Sequence, residues 1–205
     1  MTSIKGIIFD LGKVVFDLSF DRTFEFWANA SGRQMDDIKN KFRFDEIYEK
    51  FETKELTAKE FRHLLSVQLN LSLPDNIFDA GWCNLYLDPY PEIVKLLTDL
   101  KVNYKLVALT NTNEIHETVW KVKYTKALQN FEKVFSSHHI KARKPNEQAY
   151  KIVLDYLKLN PEQTIFIDDN LENIEGAKKL GINTVLASSP RQIITDLRTL
   201  LGQPT

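Results

Sequence analysis

The sequence contains a single cysteine, Cys83, and no excess of cationic residues, and each shortage excludes a class of protein. One cysteine cannot form an internal disulfide, so the chain is not a disulfide-stabilised secreted domain. The helical pattern around Cys83 predicts a half-buried structural residue. With 27 Lys and Arg against 28 Asp and Glu, the chain lacks the positive field that nucleic acid or anionic lipid would require. We therefore expect no nucleic-acid partner.

Long hydrophobic runs are missing as well. The first apolar stretch is interrupted by Asp10 after a few residues, which makes it too short for a signal peptide core or a membrane span. This predicts a cytoplasmic protein that does not associate with membranes. The 205 residues, 43% hydrophobic and 27% charged, are enough for one substantial core that carries a smaller module.

Five short apolar runs predict buried strands. They are rich in Val, Ile, Leu and Phe without regular alternation, which is typical of parallel strands covered on both faces. The runs span residues 5–11, 104–110, 133–137, 164–169 and 182–188. Helical patterns separate the later runs and close the chain, at 113–128, 146–158, 170–181 and 190–201. This alternation predicts an α/β fold with a doubly wound, Rossmann-like parallel sheet.

The stretch between the first two runs departs from that alternation. Its periodicity is helical throughout, and Thr57 and Glu60 form a capping-box pattern ahead of one helix. The pattern predicts a small helical bundle over residues 17–90, inserted after the first strand. The α/β core would then consist of residues 1–16 and 91–205.

Polar side chains stand where the predicted strands end, which is the edge where ligands bind in an open parallel sheet. They are Asp10 after the first run, Thr110 and Asn111 after the second, Lys144 after the third, and Asp168 and Asp169 after the fourth. Aspartates at two strand ends, together with a hydroxyl, an amide and a lysine, suit a dianionic group held with a divalent cation.

Charge suggests how these residues would divide the work. Asp10 with Asp169 suits Mg²⁺, and Lys144 opposite them makes the pocket attractive to a phosphate. Asp10 would then attack phosphorus, so that hydrolysis is split into formation and breakdown of an aspartyl phosphate. Thr110 and the backbone amides of residues 111–113, at the start of a helix, would hold the remaining phosphate oxygens.

Four segments in order resemble the motifs of the haloacid dehalogenase-like hydrolase superfamily, and the helical insertion resembles its C1 cap. The segments are FDLGKVVFD (9–17), ALTNTN (108–113), KARKPNEQAY (141–150) and IFIDDNLENIEGA (165–177). Within the superfamily they are similar to bacterial sugar-phosphate phosphatases such as α-D-glucose-1-phosphate phosphatase, and to the N-terminal phosphatase domain of soluble epoxide hydrolases. The resemblance implies a Mg²⁺-dependent phosphatase acting on a small phosphorylated metabolite, with a sugar phosphate such as a hexose 1-phosphate as the expected substrate.

The resemblance also implies roles for the acidic end of the site. Asp10 is expected to be the nucleophile and a Mg²⁺ ligand, and Gly12 to offer its backbone carbonyl to the metal. Asp169 would bind the metal directly, and Asp168 would orient the metal site. Asn173 would act through a metal-bound water.

Three residues are assigned to the phosphate by the same resemblance. Thr110 and Asn111 would bind the phosphate group. Lys144 would bind it as well and would be catalytic, because it neutralises charge on both the nucleophile and the phosphoryl group.

Gly12 departs from the superfamily pattern. Most of its phosphatases carry Asp here as a general acid and base, which commonly contributes about 10²–10⁴-fold to the rate. Either the leaving group is a good one, such as an anomeric oxygen, or Asp17, His116 or a metal-linked water substitutes, or the chain is a binding or regulatory protein. Metal-independent dehalogenases of the superfamily also lack this Asp, but Asp168 beside Asp169 would be costly without a cation.

Other candidate contacts are less specific. His138 and His139 are adjacent on a segment expected to be extended, where neighbouring side chains point to opposite faces and do not chelate together. Lys13 either points into the crevice or lies in the turn that leaves the first strand. The inserted helices are expected to contact the leaving group. Their candidate contacts are Phe44, Asp45, Tyr48 and Trp82.

Overall fold

A parallel sheet forms the centre of the protein, for which a computed structural model describes residues 3–203. The strands follow one another as β1 (Gly6–Phe9), β2 (Phe16–Leu18), β3 (Tyr86–Pro89), β4 (Lys105–Thr110), β5 (Lys133–Ser136), β6 (Thr164–Asp168) and β7 (Asn183–Leu186). The five predicted runs become β1, β4, β5, β6 and β7, which pair in the order β5-β4-β1-β6-β7. The predicted core ranges begin at residue 1 and end at residue 205, and of these ranges residues 1–2 and 204–205 lie outside the described part of the chain.

Helices account for most of the remaining chain. They are α1 (Phe20–Ser31), α2 (Met35–Lys39), α3 (Glu46–Glu52), α4 (Ala58–Leu69), α5 (Asp75–Cys83), α6 (Pro91–Leu100), α7 (Glu114–Lys123), α8 (Thr125–Leu128), α9 (Ser137–Ile140), α10 (Glu147–Leu157), α11 (Leu171–Lys179) and α12 (Pro190–Leu200). Across residues 3–203, no helix combines the length and apolar character that crossing a membrane would need.

Both faces of the sheet are buried, and this explains why the strands read as uninterrupted apolar runs. Ile7 and Phe9 of β1 pack on one side with residues of α6, α7, α8 and α12. Ile8, between them, points to the opposite side and packs with residues of α10 and α11. The doubly wound α/β prediction is therefore confirmed, and β1 lies at the middle of the sheet between β4 and β6.

The helices α1 to α5 lie between β2 and β3 in the chain. These two strands pair with each other as a separate, two-stranded antiparallel sheet. Their core is strongly aromatic, with the rings of Trp27 and Trp82 stacked at a centroid distance of 5.8 Å. The predicted capping box is confirmed, because Thr57 and Glu60 exchange both hydrogen bonds at the start of α4. We refer to α1–α5 as the cap, while its boundaries at residues 17 and 90 stay a prediction.

Two local predictions have opposite outcomes. Cys83 is half-buried at the end of α5, as expected, and burial raises the pKa of its thiol to about 12. The extended geometry expected for His138 and His139 is wrong, because β5 ends at Ser136 and both histidines lie on the short helix α9. Their Nε2 atoms lie 3.2 Å and 2.8 Å from one oxygen, Oε2 of Glu117.

Candidate active site

The ends of two neighbouring strands and the segment before α10 bring the predicted charged residues together. Asp10 directly follows β1, Asp168 ends β6, and the order of the sheet makes these strands adjacent. Lys144 lies between the two carboxylates, with Nζ 2.9 Å from Oδ1 of Asp10 and 2.6 Å from Oδ2 of Asp168. Asp169 is more exposed, and one carboxylate oxygen from each of the three aspartates lies within 4.8 Å of the others. The residues that the sequence predicted at this edge therefore do meet.

Lys144 is held by its main chain as well as by its charge. The side-chain amide of Asn111 donates to the carbonyl of Lys144 at 2.9 Å, and its oxygen accepts from the Lys144 N–H at 2.9 Å. This pair of bonds links the end of β4 to the segment before α10. The Asn111 side chain thus positions Lys144 through one of its two N–H donors and its oxygen, while the predicted phosphate contact stays a prediction.

Asp168 is completely buried and its oxygens are well satisfied. The amide of Asn173 donates to both of them, at 3.0 and 3.1 Å, and the N–H of Asn170 donates to Oδ1 at 2.8 Å. Tyr150 in turn donates to the carbonyl of Asn173 at 2.7 Å. Asp168 is therefore fixed in place and orients Lys144, and Asn173 acts on this carboxylate directly.

The electrostatics of the cluster are unbalanced. Burial raises the pKa of Asp10 to about 7, with Asp168 and Asp169 adding to the rise and Lys144 opposing it. For Lys144, burial lowers the pKa, but the carboxylates of Asp10 and Asp168 outweigh this and raise it above its usual range. One ammonium group thus faces three carboxylates, and this excess of negative charge on hard oxygen ligands suits a divalent cation such as Mg²⁺.

The loop after β4 fits the prediction in part. Thr110 is buried at the end of β4 and lines the cavity in front of Asp10. The N–H of Thr112, however, donates to Oγ of Ser137 at 2.9 Å, so this amide is not available to a phosphate. The helix also begins only at Glu114, with Asn113 as its N-cap. The predicted series of three phosphate-binding amides is wrong at Thr112.

At Gly12 the structure shows what fills the space of the missing side chain. A Cβ atom added to Gly12 would lie 2.6 Å from Cδ1 of Leu18, the last residue of β2, the strand that leads into the cap. Lys13 has a left-handed backbone conformation, with a φ of 60°, and forms an ion pair with Asp17 at 2.6 Å. Lys13 lines the cavity while Asp17 does not, among the described residues. Leu18 therefore replaces the absent carboxylate with apolar surface.

His116 is buried and cannot substitute as a proton donor. Its Nε2 lies 3.0 Å from the carbonyl of Trp82, and its Nδ1 lies 3.1 Å from the side-chain amide of Asn113. A carbonyl accepts only, so the ring is the neutral tautomer with its proton on Nε2. Burial lowers the pKa of His116 to about 3. This excludes one of the groups proposed to replace the acid at Gly12.

The sequence interpretation did not identify the ion pair between Glu52 of the cap and Arg143 of the core. Glu52, at the end of α3, is 1% exposed and accepts from Nε of Arg143 at 2.9 Å. Glu49 accepts a hydrogen bond from Nη1 of the same arginine at 2.7 Å. Burial raises the pKa of Glu52, and Arg143 opposes the rise. The position of Arg143 next to Lys144 was the available signal, but nothing in the sequence pairs it with residue 52.

The cap and the core enclose a cavity of about 340 Å³ in front of Asp10. Glu52 and Tyr48 line it from the cap, and Arg143 lines it from the core segment before α10, together with apolar side chains including Phe16 and Leu18 of β2. Of the four predicted cap contacts, Tyr48 alone lines the cavity within the described part of the chain. The other three are placed elsewhere: Phe44 is exposed, Asp45 is the N-cap of α3, and Trp82 lies in the core of the cap.

We expect His116→Gln to weaken the pH dependence of stability. The unfolded chain takes up a proton on His116 below pH 6.5, whereas the folded protein does so only near pH 3, so this residue costs stability as the pH falls through that window. Gln keeps one donor and one acceptor and removes the titration. Urea unfolding at pH 5 and pH 7 should show a smaller loss of unfolding free energy in the variant. Equal losses in both proteins would contradict the buried neutral imidazole.

Comparisons with known proteins agree with the site. The chain is 24% identical over 186 residues to a D-ribitol-5-phosphate phosphatase of Bacteroides thetaiotaomicron, covering 88% of this chain and 90% of that protein. It is 26% identical over 204 residues to a sesquiterpene phosphatase of Aspergillus oryzae, covering 98% of each chain. Among solved structures, a haloacid dehalogenase family enzyme of B. thetaiotaomicron, in complex with magnesium and inorganic phosphate, superposes with a TM-score of 0.79 at 29% identity. It covers 91% of this chain and 95% of that one.

A family model confirms the family resemblance, and its matched range contains three of the four motifs, those at 108–113, 141–150 and 165–177. Residues 77–187, more than half of the 205-residue chain, match the model described as haloacid dehalogenase-like hydrolase. The matched range contains the ends of β4 and β6 and the segment that carries Lys144. Together with the parallel sheet and the cluster at its carboxyl edge, this match shows that the chain belongs to the haloacid dehalogenase-like hydrolase family.

Proposed function

We propose that the protein is a phosphatase that hydrolyses a small phosphorylated metabolite, with Asp10 as the nucleophile. The observation that carries the proposal is the position of Asp10 at the carboxyl end of the central strand, 2.9 Å from a buried Lys144 and beside Asp168 and Asp169. The ammonium of Lys144 opposes the rise that burial imposes on the pKa of Asp10, and so favours the ionised carboxylate. An ionised, fixed Asp10 is what nucleophilic attack on phosphorus requires.

Mg²⁺ is the cofactor that this site favours. Asp10, Asp169 and the carbonyl of Gly12 would hold it, and the ion would supply positive charge to the oxygens of the transferring phosphoryl group. The similarity to an enzyme in complex with magnesium and inorganic phosphate supports this assignment. Lys144 contributes a second positive charge from the opposite side, and Asp168 with Asn173 keeps it in position.

The same observations weigh against the two alternative functions. A metal-independent dehalogenase would leave three carboxylates within 4.8 Å of one another with only one lysine to balance them. A binding protein without catalytic activity would not need a buried carboxylate paired with the buried ammonium of Lys144, because burying these charges costs free energy. Both alternatives stay open to the assay below.

The wall of the cavity supports a hydroxylated substrate. A volume of about 340 Å³ is at the lower end of the range for small-molecule sites, about 300–1,000 Å³. Glu52 and Arg143 are charged groups that a hydrocarbon chain would desolvate without compensation, whereas sugar hydroxyls can hydrogen bond to them. We therefore infer a sugar or polyol phosphate as substrate, with a hexose 1-phosphate among the candidates. The cytoplasmic location expected from the sequence stays a prediction.

The leaving-group explanation for Gly12 also gains support. His116 lines the cavity, but both its ring nitrogens are hydrogen bonded, and Asp17 is paired with Lys13, so neither offers an unpaired proton donor to the substrate. Leu18 occupies the space where an acid would stand. A substrate whose leaving oxygen needs little protonation, such as the anomeric oxygen of a sugar 1-phosphate, fits this arrangement.

Asp10→Asn should abolish Mg²⁺-dependent phosphatase activity, because the amide is a poor nucleophile and removes one metal ligand. A panel of sugar and polyol phosphates, assayed with Mg²⁺ and with excess chelator, measures this. Asp155→Asn, an exposed change on α10, is the matched control and should retain wild-type rates. If the wild type is as inactive as Asp10→Asn on every substrate while a phosphate ligand still binds, the assignment as an enzyme is wrong and the protein is a binding protein. Activity that survives the chelator would favour the metal-independent chemistry.

Glu52→Gln should raise KM for ribitol 5-phosphate more than for pentyl phosphate, which has the same chain length without hydroxyls. We expect a difference of about tenfold, since a charged acceptor is replaced by a neutral one. Glu49→Gln is the matched control, because Glu49 binds the same arginine but does not line the cavity among the described residues. A parallel change in KM for both substrates would show that Glu52 only holds the cap in place.

Restoring the missing acid is best tested with two substitutions. Gly12→Asp requires the terminal methyl of Leu18 to shift, and combining it with Leu18→Ala gives the new side chain room without that shift. The double variant should accelerate sugar 6-phosphates, which have poor leaving groups, by about tenfold more than sugar 1-phosphates, because only the former depend on proton donation. Steady-state kcat values for the two substrate types measure the effect, with Leu18→Ala as control. Equal acceleration of both would contradict the leaving-group explanation.

A further inference from the structure

A second group of metal-ligating side chains lies outside the cavity, in a place that catalysis does not explain. It consists of Glu117 on α7 with His138 and His139 on α9, and one ligand atom of each lies within 4.8 Å of the other two. Among the described residues, none of the three lines the cavity in front of Asp10. We call this group the His–Glu cluster.

The geometry of the cluster results from the short helix that replaces the expected extended segment. The rings of His138 and His139 lie side by side, with centroids 4.1 Å apart and planes tilted by 38°. Both direct Nε2 toward the same oxygen of Glu117, at 3.2 and 2.8 Å. Two imidazole nitrogens and one carboxylate oxygen therefore converge on a single point.

These distances approach those in a zinc site. Zn²⁺ is bound by imidazole nitrogen and carboxylate oxygen at about 2.0–2.2 Å in tetrahedral geometry, which separates ligand atoms by about 3.3–3.5 Å. The separation between His138 and Glu117 is already 3.2 Å. The 2.8 Å separation between His139 and Glu117 must open by about half an ångström. His139 is 56% exposed in its side chain and is free to make this adjustment.

The three side chains also differ in solvent exposure in a way that suits metal binding. His138 is buried, with only 2% of its side chain exposed, and is held by the packing around α9. Glu117 is 17% exposed and is anchored on the longer helix α7. Two ligands are thus fixed before binding, and the exposed third can close over the ion. This limits the loss of side-chain entropy on binding.

We propose that Glu117, His138 and His139 form a binding site for a transition metal ion, with Zn²⁺ as the best match. Imidazole ligands favour Zn²⁺, Cu²⁺, Ni²⁺ and Co²⁺ over Mg²⁺, so this site and the carboxylate site at Asp10 select different ions. A fourth position would be filled by water, since the cluster contributes three ligands.

The location of the cluster gives the bound ion a structural role. Ser137, next to His138, accepts the N–H of Thr112 at 2.9 Å and donates to the carbonyl of Thr112 at 2.8 Å. Thr112 lies in the loop between β4 and α7 that carries Asn111. An ion that ties α7 to α9 would therefore stabilise the loop that positions Lys144.

The test is Zn²⁺ titration by calorimetry on tag-free protein in buffer containing millimolar Mg²⁺, which occupies the carboxylate site. Wild type should bind one Zn²⁺, and both His139→Ala and Glu117→Gln should bind at least about 100-fold more weakly, since loss of even an outer partner commonly costs 10- to 100-fold. His63→Ala removes an exposed histidine on α4 and is the matched control, with unchanged affinity. Both His139 and His63 are exposed, so these two variants should fold alike.

Two further readouts separate a metal site from a hydrogen-bonded cluster. Co²⁺ in the wild type should give the intense visible absorption of a tetrahedral nitrogen-containing site, absent from His139→Ala. Zn²⁺ should raise the melting temperature of wild type and His63→Ala but not of Glu117→Gln. Absence of saturable Zn²⁺ binding by wild type, or equal binding by wild type and His139→Ala, would overturn the proposal. Glu117 would then simply accept two imidazole hydrogen bonds.

Discussion

The burial of Lys144 between Asp10 and Asp168 is the interaction on which the rest of the site depends. Removing such charges from water costs several kcal/mol per ion, and the pair survives only where geometry and additional hydrogen bonds compensate. Asn111 supplies two of these bonds to the main chain of Lys144, and Asn173 supplies two to Asp168. The parallel order β4-β1-β6 makes this possible, because it places the three strand ends side by side.

A rigid charged centre contrasts with the part of the cavity that would select the substrate. Leu18, at the end of β2, contacts Gly12, and Glu52 lines the cavity from the end of α3. Leu18 lies in β2 and Glu52 in the cap, so both are separate in the chain from the strand ends that carry Asp10 and Asp168. Under the proposed function, changes in these segments would alter specificity without disturbing the pair of Asp10 and Lys144.

Much of the fold and of the charged site could be predicted from local patterns. Apolar runs of strand length, separated by amphipathic helices, indicate a doubly wound sheet, and the carboxyl ends of such strands converge on one edge. Asp10, Lys144 and Asp168 could be placed together on that basis. The position of Glu52 could not, because its partner Arg143 is 91 residues away and the contact depends on how the cap packs on the core. His116 likewise needed the structure, which shows both ring nitrogens bonded.

The order of strands and helices along the chain, and the chemical groups at each strand end, can be predicted from local patterns, because hydrophobic periodicity and strand-end position are properties of short segments. Tertiary structure alone decided which groups share a contact across the chain. It turned the segment after β5 into a helix whose two histidines face Glu117, and it placed Leu18 against Gly12. These contacts join segments by packing, and packing complementarity between distant segments leaves no periodic trace in the sequence.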